Sequence, residues 1–218
     1  MYLSRVELDV TRRSTMMMLM APQKMHGTVE SCFCGERNRK LWRIDKLGEK
    51  LYLLLLSEDK PNLMHVIDQF GTGKPAETKD YEQLLQRILP GSRWQFRLTV
   101  NPTKSKMRLE EDDTTPRKRG KVQACSIIGD QKKWLQERAE PHGFSLAEGS
   151  FDVTNAHWIR FKKGRESHMV SLLSVTYEGV LQITDEEKFC QLLTGGIGRG
   201  KAYGLGLMTV MSAEKIYG

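Results

Sequence analysis

Of the five histidines in this chain, His26 has the most suggestive setting for chemistry. It lies in Pro22-Gln23-Lys24-Met25-His26-Gly27-Thr28, an interrupted segment just after the first strand-like stretch. Imidazole is the side chain best placed to exchange protons near neutral pH. Lys24 beside it is a cation able to stabilise developing negative charge. The remaining histidines, His65, His142, His157 and His168, read as structural, with His142 beside Gly143 where it can cap helix carbonyls. A second chemical segment is Gly195-Gly196-Ile197-Gly198-Arg199-Gly200-Lys201-Ala202-Tyr203-Gly204-Leu205-Gly206. Gly195, Gly200 and Lys201 fall on the G-x-x-x-x-G-K frame of a nucleotide-binding P-loop, but Ala202 stands where magnesium binding needs Ser or Thr. The surrounding order is also reversed. A P-loop leads from a strand into a helix, whose N-terminus holds the phosphate; here a helix precedes the glycines and a strand follows. The order excludes a P-loop, and a nucleotide-dependent enzyme ranks far behind the other readings. The third segment, Trp158-Ile159-Arg160-Phe161-Lys162-Lys163-Gly164-Arg165, predicts a basic hairpin with Trp158, Arg160 and Lys162 on one face. Projecting cations of this kind straddle phosphates with sequence-tolerant affinity.

The elements that must position these segments follow from periodicity. Tyr2–Val10 alternates as a half-buried strand, and residues 14–36 mix helical and loop signals. Leu41–Asp45 and Leu51–Ser57 predict a strand pair, Lys79–Leu89 an amphipathic helix, and Arg93–Val100 a strand burying Trp94, Phe96, Leu98 and Val100. That order, β-α-β-β-α-β, is the ferredoxin-like or RRM-like unit. Asn101–Lys121 changes character, with an acid run at Glu110–Asp113 and a basic run at Arg117–Lys121, and reads as a linker. The second half repeats the outline. It has a strand at Lys121–Ile128 and a helix at Asp130–Glu140 capped by Asp130. Strands follow at Phe144–Leu146, Trp158–Phe161, Met169–Tyr177 and Val180–Thr184. A helix opening on the capping box Thr184-Asp185-Glu186-Glu187 and a last strand at Leu205–Val210 complete it. The fold class is thus α+β, two tandem ferredoxin-like domains: 1–102, a linker at 103–120, and 121–218.

Composition points to an acidic partner. The 218 residues carry a net charge of +7, spread as 16 Lys and Arg against 12 Asp and Glu in 1–102 and 18 against 15 thereafter, so the basic surface belongs to both halves. RNA suits such sheets better than DNA, although neither half has the aromatic signature of an ordinary RRM. Cys32, Cys34, Cys125 and Cys190 lack zinc-site spacing and read as reduced thiols, so no metal is expected. The methionine-rich run Met16–Met20 is too short for a signal peptide, and no stretch approaches the ~20 apolar residues of a membrane span.

Several motifs converge on one family. Met1-Tyr2-Leu3-Ser4-Arg5-Val6 opens the chain, and Met25-His26 follows at the family spacing. Phe96-Arg97-Leu98-Thr99-Val100-Asn101-Pro102-Thr103-Lys104, Lys133-Trp134-Leu135 and Tyr177-Glu178-Gly179-Val180-Leu181 come in family order, and so does the loop from Gly196 to Leu207. Together they resemble the CasE family, the CRISPR repeat endoribonuclease of type I-E systems. The resemblance implies two ferredoxin-like domains and metal-independent cleavage of precursor CRISPR RNA at the 3′ base of each repeat hairpin, without a cofactor. The 2′-hydroxyl attacks the adjacent phosphate, leaving a 2′,3′-cyclic phosphate and a 5′-hydroxyl. The protein is then expected to stay on the mature RNA with the other subunits of the surveillance complex, in the cytoplasm.

The resemblance makes His26 the catalytic histidine. It also maps the family's basic hairpin onto Arg160, Lys162, Lys163 and Arg165. Characterised relatives often carry a tyrosine three residues before the histidine, where this chain has Gln23; one has a lysine five residues after it, where this chain has Ser31. Lys24, and Tyr203 from the glycine loop, are the candidate replacements. Arg199 and Lys201 are expected beside the RNA path, with Gly196, Gly198, Gly200 and Gly204 letting the loop approach RNA or the partner domain. The alternative to a nuclease is a non-catalytic hairpin-binding subunit of the same complex.

Overall fold

The structure is a computed structural model that describes residues 1–34, 38–106, 121–163 and 168–213. β1 (Tyr2–Leu8) buries Ser4, Val6 and Leu8 and turns Arg5 to solvent, the alternation its sequence predicts. Two short helices follow, α1 (Arg13–Leu19) and α2 (Pro22–Glu30), with Pro22 in the first turn of α2, where no intrahelical N–H bond is lost. β2 (Lys40–Leu47) and β3 (Lys50–Ser57) form the predicted hairpin, paired from Lys40 opposite Ser57 to Leu47 opposite Lys50. α3 (Met64–Phe70) forms where the sequence offers no clear pattern. The helix expected over Lys79–Leu89 is corrected: Glu77–Asp80 is a strand, β4, and only Glu82–Leu85 is helical, α4. The Asp80 carboxylate accepts a hydrogen bond from the Glu82 N–H at 3.0 Å, which turns the chain out of the strand. β4 lies beside β1, fastened by the Ser4–Thr78 hydroxyl pair at 2.9 Å and the Arg5–Glu77 pair at 2.7 Å.

β5 (Arg93–Val100) buries the four predicted apolar side chains. β6 (Thr103–Lys106) and β7 (Lys121–Ala124) pair as a two-stranded ladder. The stretch expected to be linker therefore begins as a strand, while 107–120 lies outside the described residues. α5 (Ile128–Ala139) starts two residues earlier than expected. Asp130 sits in its first turn, not at its cap, and pairs with Lys104 at 2.7 Å. β8 (Phe144–Ser145) and β9 (Phe151–Lys163) come next; β9 is much longer than its apolar signal. The two strands expected at 169–177 and 180–184 are one continuous strand, β10 (His168–Ile183). α6 (Glu186–Gly195) is capped by Asp185, whose carboxylate accepts from the Lys188 N–H at 3.1 Å, and β11 (Met208–Ser212) follows the glycine loop.

The first sheet has the order β2-β3-β1-β4, and the second β11-β5-β10-β8 with β9 also on β10. In the first, β4 lies beside β1 and β3 separates β1 from β2; in the second, β11 lies beside β5 and β10 separates β5 from β8 and β9. This is the ferredoxin-like arrangement twice, in tandem. The division between the units differs from the expected boundary at residue 102. β5 hydrogen-bonds to β10 and β11 and so opens the second sheet, while β4 closes the first. The Glu77-Thr78-Lys79-Asp80 strand contains no apolar residue, so periodicity could not reveal it.

β3 explains how the units adhere. Leu53 and Leu55 pack with Val6, Leu8, Met25 and Val29 under the helices, whereas Leu54 and Leu56 join Trp94, Phe96 and Leu98 of the second unit. A strand buried on both faces reads as a continuous apolar run rather than an alternating one. Beside it Arg43, only 1 % exposed, donates to both Asp45 carboxylate oxygens at 2.7 and 2.6 Å. It also donates to the carbonyls of Arg97 and Leu207 at 3.0 and 2.7 Å and to Thr209 Oγ1 at 2.8 Å. One guanidinium from the first sheet thus satisfies acceptors on two strands of the second. Among the described residues, no helix is long and apolar enough to cross a membrane.

Candidate functional site

α2 buries Met25 and Val29, one helical turn apart, against the first core. That anchorage leaves His26 half-exposed on the adjoining stripe and Lys24 exposed. Two contacts bring the second unit to this helix, and a third ties its two contributing segments together. The Gln23 side-chain amide donates to the Lys162 carbonyl on β9 at 2.6 Å, across 139 residues of chain. The 3-10 turn Lys201–Tyr203, inside the glycine loop, packs on α2. Phe161 of β9 lies against the Tyr203 ring, with centroids 4.7 Å apart and planes inclined by 55°. The helix, the basic hairpin and the glycine loop therefore meet at one place.

The hairpin has the predicted faces. Trp158, Arg160 and Lys162 are exposed, while Ile159 and Phe161 turn inward. Arg160 lies opposite Ser171, and Lys162 opposite Met169, on β10. Lys163 continues the strand, and Arg165 lies outside the described residues. A cleft of about 430 Å³ opens beside Tyr203, lined also by Pro22, Lys46, His157 and Ser174. A larger cleft of about 830 Å³ runs between the sheets past Arg5, Leu54, Phe96 and Met211, but none of the expected site residues lines it.

The glycine loop is shaped first by packing. A Cβ on Gly196 would come within 2.8 Å of the Leu41 side chain, and one on Gly204 within 2.6 Å of the Trp42 ring. Both neighbours belong to β2, so these glycines let the loop close on the first unit. Gly204 also has φ +79°, in the left-handed region that glycine adopts without strain. Within this loop the two cations differ. Arg199 is exposed and makes an isolated backbone bridge with Asn101. Lys201 donates its ammonium to the Gly195 carbonyl at 2.8 Å, and burial, aided by the Arg39 charge, holds its pKa below the ordinary lysine value. That ammonium is engaged inside the loop.

His142 accounts for itself as expected, with Nδ1 2.8 Å from the Arg138 carbonyl one helical turn back. His65 Nε2 lies 2.9 Å from the hydroxyl of Ser31, the departure position after His26. Sequence reasoning missed Arg43, Asp45, Phe161 and the Gln23 tie. Arg43 and Asp45 carried a signal: two charges at i and i+2 among Leu41, Trp42 and Ile44 share one face. Glu30 was missed too; it lies one turn after His26, with Oε1 4.0 Å from His26 Nδ1 and Oε2 3.1 Å from Lys40 Nζ. Among the described residues, no group of three or more His, Cys, Asp or Glu side chains is arranged to hold a metal ion.

Comparison with known proteins agrees with the motifs. The chain is 29 % identical to the CRISPR-associated endoribonuclease Cse3 of Thermus thermophilus, covering 96 % of this chain and 99 % of the relative. It superposes on Cse3 bound to a 19-nucleotide RNA with a TM-score of 0.77 at 27 % identity, covering 96 % and 98 % of the two chains. Thermus thermophilus Cse3 bound to an RNA representing a pre-cleavage complex gives 0.76 at 26 % identity, with the same coverage. A family model described as CRISPR associated protein matches residues 1–211, nearly the whole length, and the chain belongs to that family.

Proposed function

We propose that this chain is a metal-independent endoribonuclease that cuts precursor CRISPR RNA at the 3′ base of each repeat hairpin. The observation that carries the reading is the meeting of α2, the helix that bears His26, with the basic β9–β10 hairpin and the Tyr203 turn. The relatives' RNA complexes and the endoribonuclease name of the curated relative support the same reading. In the reaction the 2′-hydroxyl loses its proton and its oxygen attacks the neighbouring phosphorus. The bond from phosphorus to the 5′-oxygen breaks, and that oxygen gains a proton, leaving a cyclic phosphate and a 5′-hydroxyl. His26 can carry either proton, a contribution of roughly 10²–10⁴-fold in rate. Arg160 and Lys162 would grip the hairpin phosphates, and Lys24 or Tyr203 would face the charge that develops at phosphorus. The product stays bound, and the protein serves as a subunit of the type I-E effector complex.

His26→Ala is expected to slow cleavage of a labelled repeat hairpin in EDTA by at least ~10²-fold while leaving hairpin affinity in place. Cleavage by this variant at the wild-type rate would overturn the mechanism. A second reading, a non-catalytic hairpin-binding subunit, is favoured by Gln23, whose amide is committed to the Lys162 carbonyl where relatives often carry a tyrosine. Wild-type protein that binds the hairpin and leaves it uncut would select that reading.

A further inference from the structure

Glu30 and His26 stand four residues apart on α2 and therefore on one face of the helix. Glu30 Oε1 is 4.0 Å from His26 Nδ1. The other carboxylate oxygen is held from below by Lys40, whose Nζ lies 3.1 Å away and whose side chain is 5 % exposed. Lys40 is itself fixed, donating to the Asn38 carbonyl at 3.2 Å and lying 4.8 Å from the centre of the Phe33 ring. A near-buried cation thus holds the carboxylate, and the carboxylate addresses one nitrogen of a half-exposed imidazole. An ion pair of 4.0 Å is longer than a hydrogen bond, but bonds that orient a catalytic base commonly tighten only when substrate is seated.

We propose that Glu30 is a positioning residue for His26. It accepts the Nδ1 proton of the neutral ring, so that Nε2 is the atom exchanging a proton with the RNA, and it balances the imidazolium that forms. The inference rests on the reading of His26 as the catalytic histidine. Which nitrogen of a neutral histidine keeps its proton is set by the partner of the other. Here the only carboxylate paired with His26 among the described residues is the Glu30 carboxylate.

Glu30→Gln separates this role from support of the fold. The Gln oxygen can stay on the Lys40 ammonium, which turns the amide NH2 toward His26 Nδ1. That nitrogen must then accept, and the ring must carry its proton on Nε2, the wrong tautomer for the reaction. Nitrogen-15 NMR of histidine-labelled protein, at a pH where the ring is neutral, should show the Nδ1–H form in wild type and the Nε2–H form in the variant. Single-turnover cleavage should fall about 10–100-fold with hairpin Kd unchanged, and Glu30→Asp should recover part of the rate. An unchanged tautomer in Glu30→Gln, an unchanged rate, or a loss of affinity matching the loss of rate would each overturn the proposal. His26→Ala keeps the two readings apart. If it still cleaves at the wild-type rate, the assignment of His26 as the catalytic histidine falls while the tautomer measurement still tests the pair. If it is inactive and Glu30→Gln changes nothing, only the positioning role falls.

Discussion

His26 is accessible because its helical neighbours are not: Met25 and Val29 hold α2 to the core, and the histidine falls on the next stripe. The same helix end holds two cysteines in opposite environments. Cys32 is buried, and that burial, with the nearby Glu30 charge, pushes its thiol up to about 11; Cys34 is exposed. At pH 8 roughly one Cys32 thiol in a thousand is ionised. Iodoacetamide should therefore label Cys34 in native protein and reach Cys32 only after unfolding, as peptide mass spectrometry would read; equal labelling of both would contradict the packing of this corner. Residue type made His26 legible in the sequence, because proton transfer near neutral pH has few candidates. At Lys201 the backbone's path places the Gly195 carbonyl 2.8 Å from the ammonium, a partner that residue type alone does not announce. Glu30 was silent for the opposite reason: a carboxylate on an exposed helix face is ordinary until Lys40 arrives from a different element.

At the scale of elements, the glycine loop works as a close-fitting connector between α6 and β11. Gly204→Ala would push a methyl group to 2.6 Å from the Trp42 ring at a φ of +79°. Overpacking of this kind costs about 1–3 kcal/mol, so the variant should lose several degrees in Tm; an unchanged Tm would mean that the loop is free to move off β2. Legibility varied with apolar content. β5 and β10 declared themselves by alternating large side chains, and α6 by its acidic start and its glycine stop. β4 has four polar residues and could be recognised only by its ladder to β1, a long-range pairing that local pattern does not encode. The far ends of β9 and β10 extend beyond their apolar signal because each strand supplies the other's hydrogen bonds over the whole arm.

In the whole molecule, the two units behave as one through β2, β3 and the loop, and Arg43 is the most concentrated point of that union. Removing Arg43 leaves the buried Asp45 carboxylate with only the longer Arg97 pair at 3.7 Å, and breaking a buried charge pair costs about 3–5 kcal/mol. Arg43→Ala should lower the unfolding free energy measured in urea by that amount or split unfolding into two transitions, one for each sheet; a single transition at the wild-type midpoint would refute the role. By itself the sequence determined the α+β class, the twofold ferredoxin-like plan, the basic surface and the ordered motifs of the CRISPR associated protein family, because periodicity, charge and motif order are local or cumulative properties. Only the tertiary structure decided that β5 opens the second unit instead of closing the first, that Arg43 and the glycines join the units, and that Gln23, Tyr203 and Lys162 assemble around the helix of His26. Those facts depend on contacts between residues as much as 166 positions apart, such as Arg43 with Thr209, which no window along the chain contains.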